Sequence, residues 1–258
     1  MKAVILAGGL GTRLSEETDL RPKPMIEIGG RPVLWHIMKI YSAYGINDFV
    51  ICLGYKGYII KEYFCNYMIH HSNITVDLRS NETTLHSSKS EPWRVTMIDT
   101  GSKTQTGGRL KRVRQYLEDE TFCFTYGDGL CDVNISELID FHNKSKPDGV
   151  LTTLVAIMPH GRYGSLELDG NVLTRFVEKP EQDTSYVNGG FFVVEPEAID
   201  FIDNDTTAWE GPPLEKMSAE RRVRAHRHHG FWGAMDTLRD KRSLEEMWEN
   251  GCAPWKSW

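Results

Sequence analysis

Behind an apolar run, the stretch LAGGLGTRL (6–14) sets Gly8, Gly9 and Gly11 beside Arg13, and RPKPM (21–25) adds Lys23 between two prolines. Glycines let a chain turn sharply and bring N–H groups close to an anion, and a concave row of such groups holds phosphate. Arg13 offers a planar fork of donors for phosphoryl oxygens, whereas Lys23 offers a movable point charge. Pro22 and Pro24 restrict the backbone on either side of Lys23 and so limit where its side chain can go. A dinucleotide fingerprint would need a third glycine where Leu14 stands, and no strand supplies an acidic residue about 20 positions on. No G-x-x-x-x-G-K-[ST] occurs either. A phosphate-wrapping loop with its own cations remains, against the plainer alternative of a solvated Gly-Pro loop.

Two carboxylates stand where they can serve such a loop. Asp128 lies in YGDG (126–129), where a strand ends and a glycine-flanked turn begins, and Asp236 lies in WGAMDTLRDK. Ligands of parallel α/β sheets bind outside the carboxyl ends of the strands, which favours Asp128. A pair of carboxylates meeting nucleotide phosphates can hold Mg²⁺, a hard cation that takes oxygen ligands. The alternative is that Asp128 caps a turn and Asp236 caps a helix beginning at Thr237.

The elements that must position these groups follow from hydrophobic spacing. KAVILA (2–7), DFVICLG (48–54), VTMID (95–99), TFCFTYGDG (121–129) and VLTTLVAI (150–157) read as strands. Helical spacing recurs at 32–45, 57–71, 108–117 and 134–145. The alternation predicts an α/β fold with a mostly parallel sheet covered on both faces. Residues 71–93 are polar and lack helical period, which predicts a hairpin or mobile flap. Residues 163–195 hold short strands between turn residues and predict a small antiparallel patch added to the sheet. The tail is partly helical and rich in tryptophan.

Composition narrows the function. The chain has 258 residues and a net charge of −6, which argues against a general nucleic-acid binder. The cluster RRVRAHRHHG (221–230) alternates charged with apolar residues as on a half-exposed strand facing solvent or a subunit. No apolar run reaches the ~20 residues of a membrane span, and the apolar run of MKAVILAGG is too short for a signal-peptide core. Five scattered cysteines without CxxC spacing predict buried, reduced thiols and a cytoplasmic chain. Ser165 lies in no G-x-S-x-G elbow, so no hydrolase nucleophile is expected.

LAGGLGTRL and RPKPM together resemble the signature of sugar-1-phosphate nucleotidylyltransferases. GTRLSEET, TGGRLKRV, FTYGDGLCDV, NGGFFV, MDTLRDK and the closing APWKSW are similar to the branch that joins CTP to glucose 1-phosphate. The resemblance spans nearly the whole chain. It implies one Rossmann-like domain over 1–258, with a nucleotide-binding part near 1–130 and a sugar-phosphate and assembly part near 131–258. It implies nucleotide contacts from Leu6, Ala7, Gly8, Gly9, Leu10, Gly11, Thr12, Arg13, Lys23, Thr104, Gly108, Arg109 and Asp128. Arg13, Lys23, Asp128 and Asp236 would be catalytic, with Asp128 and Asp236 the Mg²⁺ ligands. Glu178, Lys179, Asn188 and Gly189 would hold the sugar phosphate, although E-K-P alone reads as an exposed turn. Arg109, Lys111, Arg112 and Arg114 read without the resemblance as the wet face of a helix. The family also implies a homo-oligomer, a hexamer, with no nucleic-acid or membrane partner. One departure stands out: Gly233-Ala234 replaces an expected Gln-Pro before Met235, which predicts a more flexible loop at Asp236. A non-catalytic nucleotide-sugar binder, or a transferase using UTP or dTTP, are the other readings.

Overall fold

The computed structural model describes residues 1–88, 90–159, 165–169, 172–177 and 186–258. Its centre is set by the continuous apolar run Ala3–Ala7 (β1), buried along its whole length. Alternate side chains of β1 point to opposite faces. Ala3, Ile5 and Ala7 join one hydrophobic cluster, and Val4 and Leu6 join a second. Both faces of the sheet are therefore covered, as a parallel arrangement requires.

Around β1 run β2 (Asp48–Leu53), β3 (Arg94–Asp99), β4 (Phe122–Tyr126), β5 (Gly129–Cys131), β6 (Thr152–Ile157), β7 (Val187–Val194), β8 (Val223–His228) and β9 (Trp232–Ala234). Six of these join β1 in one seven-stranded sheet, in the order β8-β6-β7-β4-β1-β2-β3. β4, β1, β2 and β3 are mutually parallel, as are β6 and β8. Strand β7 is antiparallel to both β4 and β6. The sequence pattern assigns β7 to a peripheral patch; its buried run Gly189–Val194 places it inside the main sheet instead. Of the expected patch, Ser165–Asp169 and Val172–Val177 form a separate two-stranded piece. The polar segment after 71 is a hairpin, Ser72–Asp77 with Glu82–Ser88.

Helix α1 (Val33–Ala43) covers the first face, and α2 (Gly57–Cys65) follows β2. Thr106–Arg112 (α3) packs into the second cluster through Leu110. Ile135–Ser145 (α4), Pro212–Ala219 (α5) and Leu238–Glu249 (α6) complete the cover. The predicted helix over 108–117 begins earlier, ends at Arg112 and continues as a 3₁₀ turn, Arg114–Tyr116. Cys52, Cys123 and Cys131 are buried as expected, but Cys65 and Cys252 are exposed; all are unpaired. The basic cluster forms β8, a half-exposed edge strand. No helix among the described residues is long and apolar enough to cross a membrane.

The tail closes over α1. Trp255 is fully buried, and its indole N–H donates to His36 Nδ1 at 3.4 Å. His36 Nε2 lies 2.8 Å from the Ile28 carbonyl. An acceptor at Nδ1 and a donor at Nε2 define the neutral imidazole. Burial, the largest cause, lowers the His36 pKa from 6.5 to about 4. Between these values the unfolded chain binds a proton that the folded chain refuses, so stability is lost as pH falls through this window. Urea unfolding should show a decline of about 3 kcal/mol from this group between pH 7 and pH 4. His36→Gln, which keeps a donor and an acceptor, should flatten that dependence.

Candidate active site

A cavity of about 560 Å³ opens at the carboxyl ends of β1 and β4. After β1 the chain proceeds outward through β2 and β3, then returns to place β4 on the other side of β1. That reversal is the topological switch point at which open α/β sheets bind ligands. The volume falls in the usual range for ligand sites.

The glycine loop forms one wall. Leu6, Ala7, Gly8, Gly9, Gly11 and Thr12 line the cavity, and Leu10 is exposed outside it. Arg13 contributes backbone to the turn Thr12–Leu14, and its side chain lies outside the described atoms. Beneath the loop sits Arg109, brought by α3. Its guanidinium donates to Leu53 O at 3.0 Å, Thr100 Oγ1 at 2.8 Å and Gly8 O at 3.0 Å. A Cβ on Gly8 would lie 2.1 Å from this guanidinium, so only glycine admits the clamp. Burial lowers the Arg109 pKa from its usual value, so hydrogen bonds must replace lost water. Sequence pattern offered Arg109 as a base contact or as a wet helix face; the structure makes it a buried support that also lines the cavity. Thr104 is buried at the cavity wall. Gly108 does not line the cavity: a Cβ there would meet the Asp205 backbone at 2.6 Å, so its close approach serves packing. The wet cations of the helix instead tie it to the segment after β7, with Lys111 on Ile202 O and Arg112 on Asp205.

Three distant segments meet opposite the loop. Lys23, held in the 3₁₀ turn Lys23–Met25 and almost fully buried, donates to Asp128 Oδ2 at 2.7 Å and Asp236 Oδ1 at 2.8 Å. One ammonium thus bridges two carboxylates that come from distant segments of the chain. Asp236 does not cap the following helix. Thr237 does so, in a reciprocal capping box with Asp240, and the Asp236 backbone N–H donates to Asp240. Gly233 and Ala234 lie within a paired strand, β9 on β5, and keep Asp236 in place; Ala234 retains a backbone N–H that proline lacks.

The third wall comes from β7. Asn188 Oδ1 accepts the Gly190 N–H at 2.8 Å, which fixes the amide so that Nδ2 donates to Tyr126 Oη at 3.2 Å. Gly189 offers its carbonyl to the Trp232 indole N–H at 2.7 Å. Glu178 and Lys179 lie outside the described residues. Sequence reasoning did not single out Tyr126, Trp232 or Glu210, all of which line the cavity. Tyr126 sits two residues before Asp128 and was legible from that neighbourhood. Glu210 carries no motif; the fold brings it to Thr106, which donates to it at 2.6 Å. Burial and the neighbouring Glu210 keep the Tyr126 phenol neutral.

The nucleotidyl transferase family profile matches residues 2–236. The chain belongs to the nucleotidyl transferase family. It is 56% identical to the glucose-1-phosphate cytidylyltransferase of Salmonella typhi, with 100% of both chains covered. A mannose-1-phosphate guanyltransferase of Saccharomyces cerevisiae is 28% identical over 98% of this chain and 66% of its own. HddC from Yersinia pseudotuberculosis shares the fold, with a TM-score of 0.68 at 24% identity over 96% of this chain and 99% of that one. Within this nucleotidyl transferase, Arg109→Ala should remove a buried donor from three acceptors. Unfolding in urea should show a loss of about 1–3 kcal/mol. Arg109→Lys should recover only part of it, because one ammonium replaces a planar fork.

Proposed function

We propose that the chain transfers a cytidylyl group from CTP to α-D-glucose 1-phosphate, giving CDP-glucose and pyrophosphate. The observation that carries this reading is the full-length 56% identity to a glucose-1-phosphate cytidylyltransferase. The cavity supplies chemistry that suits it: a glycine loop for phosphates, a lysine between two carboxylates, and an amide and indole wall for a sugar. The sugar phosphate's own oxygen is a competent nucleophile for the α-phosphorus, so no covalent enzyme intermediate is needed. Catalysis then consists of alignment and charge neutralisation.

The donor set fits Mg²⁺. Asp128 and Asp236 bring carboxylate oxygens from distant segments to one place, where both meet the Lys23 ammonium, and paired carboxylate oxygens are donors that a hard divalent cation takes. Asp128 and Asp236 would hold the ion, which supplies charge stabilisation at phosphate oxygens when bound. Lys23 would then turn its ammonium toward the phosphates, within a turn that Pro22 and Pro24 keep narrow. Arg13 and the loop N–H groups would hold the triphosphate and the departing pyrophosphate. Asn188, oriented by Gly190 and Tyr126, would keep one amide N–H for a sugar hydroxyl. Glu178 and Lys179 would complete the sugar-phosphate side, Lys179 by neutralising its phosphate. We further propose a cytoplasmic homo-oligomer, a hexamer, supported by the exposed apolar side chains Met68, Ile69, Val76, Leu78 and Leu85 around the hairpin.

Pyrophosphate release should be measured with each of CTP, UTP and dTTP in the presence of glucose 1-phosphate and Mg²⁺. CTP alone should support rapid release. Activity with UTP or dTTP but not CTP would overturn the base assignment, and no release with any nucleotide would favour a non-catalytic binder. Asp236→Asn should fold normally yet lose turnover by about two to three orders of magnitude; near-wild-type rates would remove Asp236 from the machinery.

A further inference from the structure

Asp128 and Asp236 are presented by one short ribbon, and a second contact closes the ribbon's other end. Strand β9 pairs antiparallel with β5, so Asp128 precedes one strand and Asp236 follows the other at the same end. Main-chain bonds extend the ladder in both directions: Met235 N to Asp128 O at 2.9 Å, and Asp132 N to Phe231 O at 3.2 Å. This two-stranded piece belongs to no larger sheet. A ribbon of that size is marginal in isolation; Leu130, Cys131 and Met235 anchor it in the hydrophobic core, and polar contacts at its ends set how it lies there.

At the other end of the ribbon, His228 Nε2 lies 2.8 Å from Asp132 Oδ1 and 3.2 Å from Phe231 O. Both neighbours are acceptors, so Nε2 carries the proton. His228 is the last residue of β8, the edge strand of the main sheet. The contact therefore fastens the free end of the ribbon to the sheet across the tight connection 229–231. Gly230 is part of the fastening. A Cβ there would lie 2.4 Å from Asp132 Oδ1 and 2.8 Å from His228 Cε1. The side chain of His228 is largely shielded from solvent, with 12% exposed, which strengthens a hydrogen bond to a carboxylate. Trp232, in the same ribbon, also donates to Gly189 on the sugar wall.

We propose that His228, clasped to Asp132, is a positioning residue for the reaction: it fixes the tilt of the β5–β9 ribbon and thereby the spacing of the Asp128 and Asp236 carboxylates as a divalent-cation pair. The proposal rests on the reading that these two carboxylates hold Mg²⁺. His228 is not among the residues that line the cavity; it acts through the ladder. Removing it leaves Leu130, Cys131 and Met235 packed in the core but takes away the polar fastening at the far end of the ribbon, so that its tilt can shift.

The test uses the full-length protein with two readouts. One is equilibrium binding of Mn²⁺ followed by electron paramagnetic resonance of the free ion. The other is initial rate against free Mg²⁺ at saturating CTP and glucose 1-phosphate. Thermal melts report folding. His228→Ala should weaken Mn²⁺ binding and raise the half-saturating Mg²⁺ by about tenfold, in the range seen when outer partners of metal ligands are lost. His228→Gln, which restores an N–H donor at similar reach, should recover most of the shift. Gly230→Ala, which forces Asp132 and His228 apart without removing either, should reproduce it. Asp236→Asn is measured alongside. A shift in Asp236→Asn with wild-type curves for His228→Ala and Gly230→Ala would overturn the clasp and leave the metal pair standing. Lower rate or melting temperature with unchanged half-saturation by both ions would make His228 merely structural and also overturn it. Unchanged curves in Asp236→Asn would overturn the metal reading, and the clasp with it. Should His228→Ala not fold, Gly230→Ala and His228→Gln decide the matter on the same criteria.

Discussion

One ammonium group holds this site together. Lys23 Nζ bridges Asp128 and Asp236, residues 105 and 213 positions away along the chain. Two carboxylates that meet in a partly buried setting would repel, and the lysine between them compensates both. The backbone around each member is correspondingly constrained. Prolines flank Lys23, a glycine-flanked turn carries Asp128 out of β4, and a three-residue strand delivers Asp236. Breaking any of these would leave a charge partly buried without its partner, which costs more than the pair contributes.

The same constraint explains how the surrounding secondary structure is divided. Were Asp236 the cap of α6, its carboxylate would be committed to backbone N–H groups and unavailable to Lys23. Thr237 takes the cap and Asp240 receives the preceding N–H groups, so Asp236 is anchored through its backbone while its carboxylate faces the cavity. Asn188 follows a related logic. Its carbonyl oxygen is consumed by Gly190 and one amide hydrogen by Tyr126, so the side chain cannot flip without losing both. In each case a neighbouring residue takes the structural hydrogen bond and leaves a polar atom oriented for a ligand.

The sheet was legible because KAVILA, DFVICL and FCFTY are continuous apolar runs, which in an α/β pattern means strands buried on both faces. The glycine loop, Lys23, Asp128 and Asp236 were legible as types in a pattern, since glycine, proline and acidic residues at strand ends constrain local backbone directly. Strand β7 was misplaced because NGGFFVV carries the same local turn signals as the short strands before it; only long-range pairing with β4 and β6 distinguishes them. Glu210 and Trp232 gave no local signal, because their presence at the cavity depends on how α3 and the ribbon dock. Arg109 was found by its motif, but motif spacing cannot tell a ligand contact from a support. That distinction needed the three acceptors beneath the loop.

Arg109 also ties the glycine loop to the Thr104 side of the cavity. Among the described residues, three of its five N–H donors are directed at Leu53, Thr100 and Gly8, while the side chain still borders the cavity beside Thr104. A base that drew on the remaining donors would pull on the same guanidinium that holds the Gly8 carbonyl. A wrong base would leave those donors unmatched in a buried setting, where the cost is about 1–3 kcal/mol. Part of that cost would be felt at Gly8 as a displaced loop, and so at the phosphates rather than at the base. Base selection under the cytidylyl-transfer reading would then register in the rate of phosphoryl transfer as well as in nucleotide affinity, because one planar side chain serves both walls.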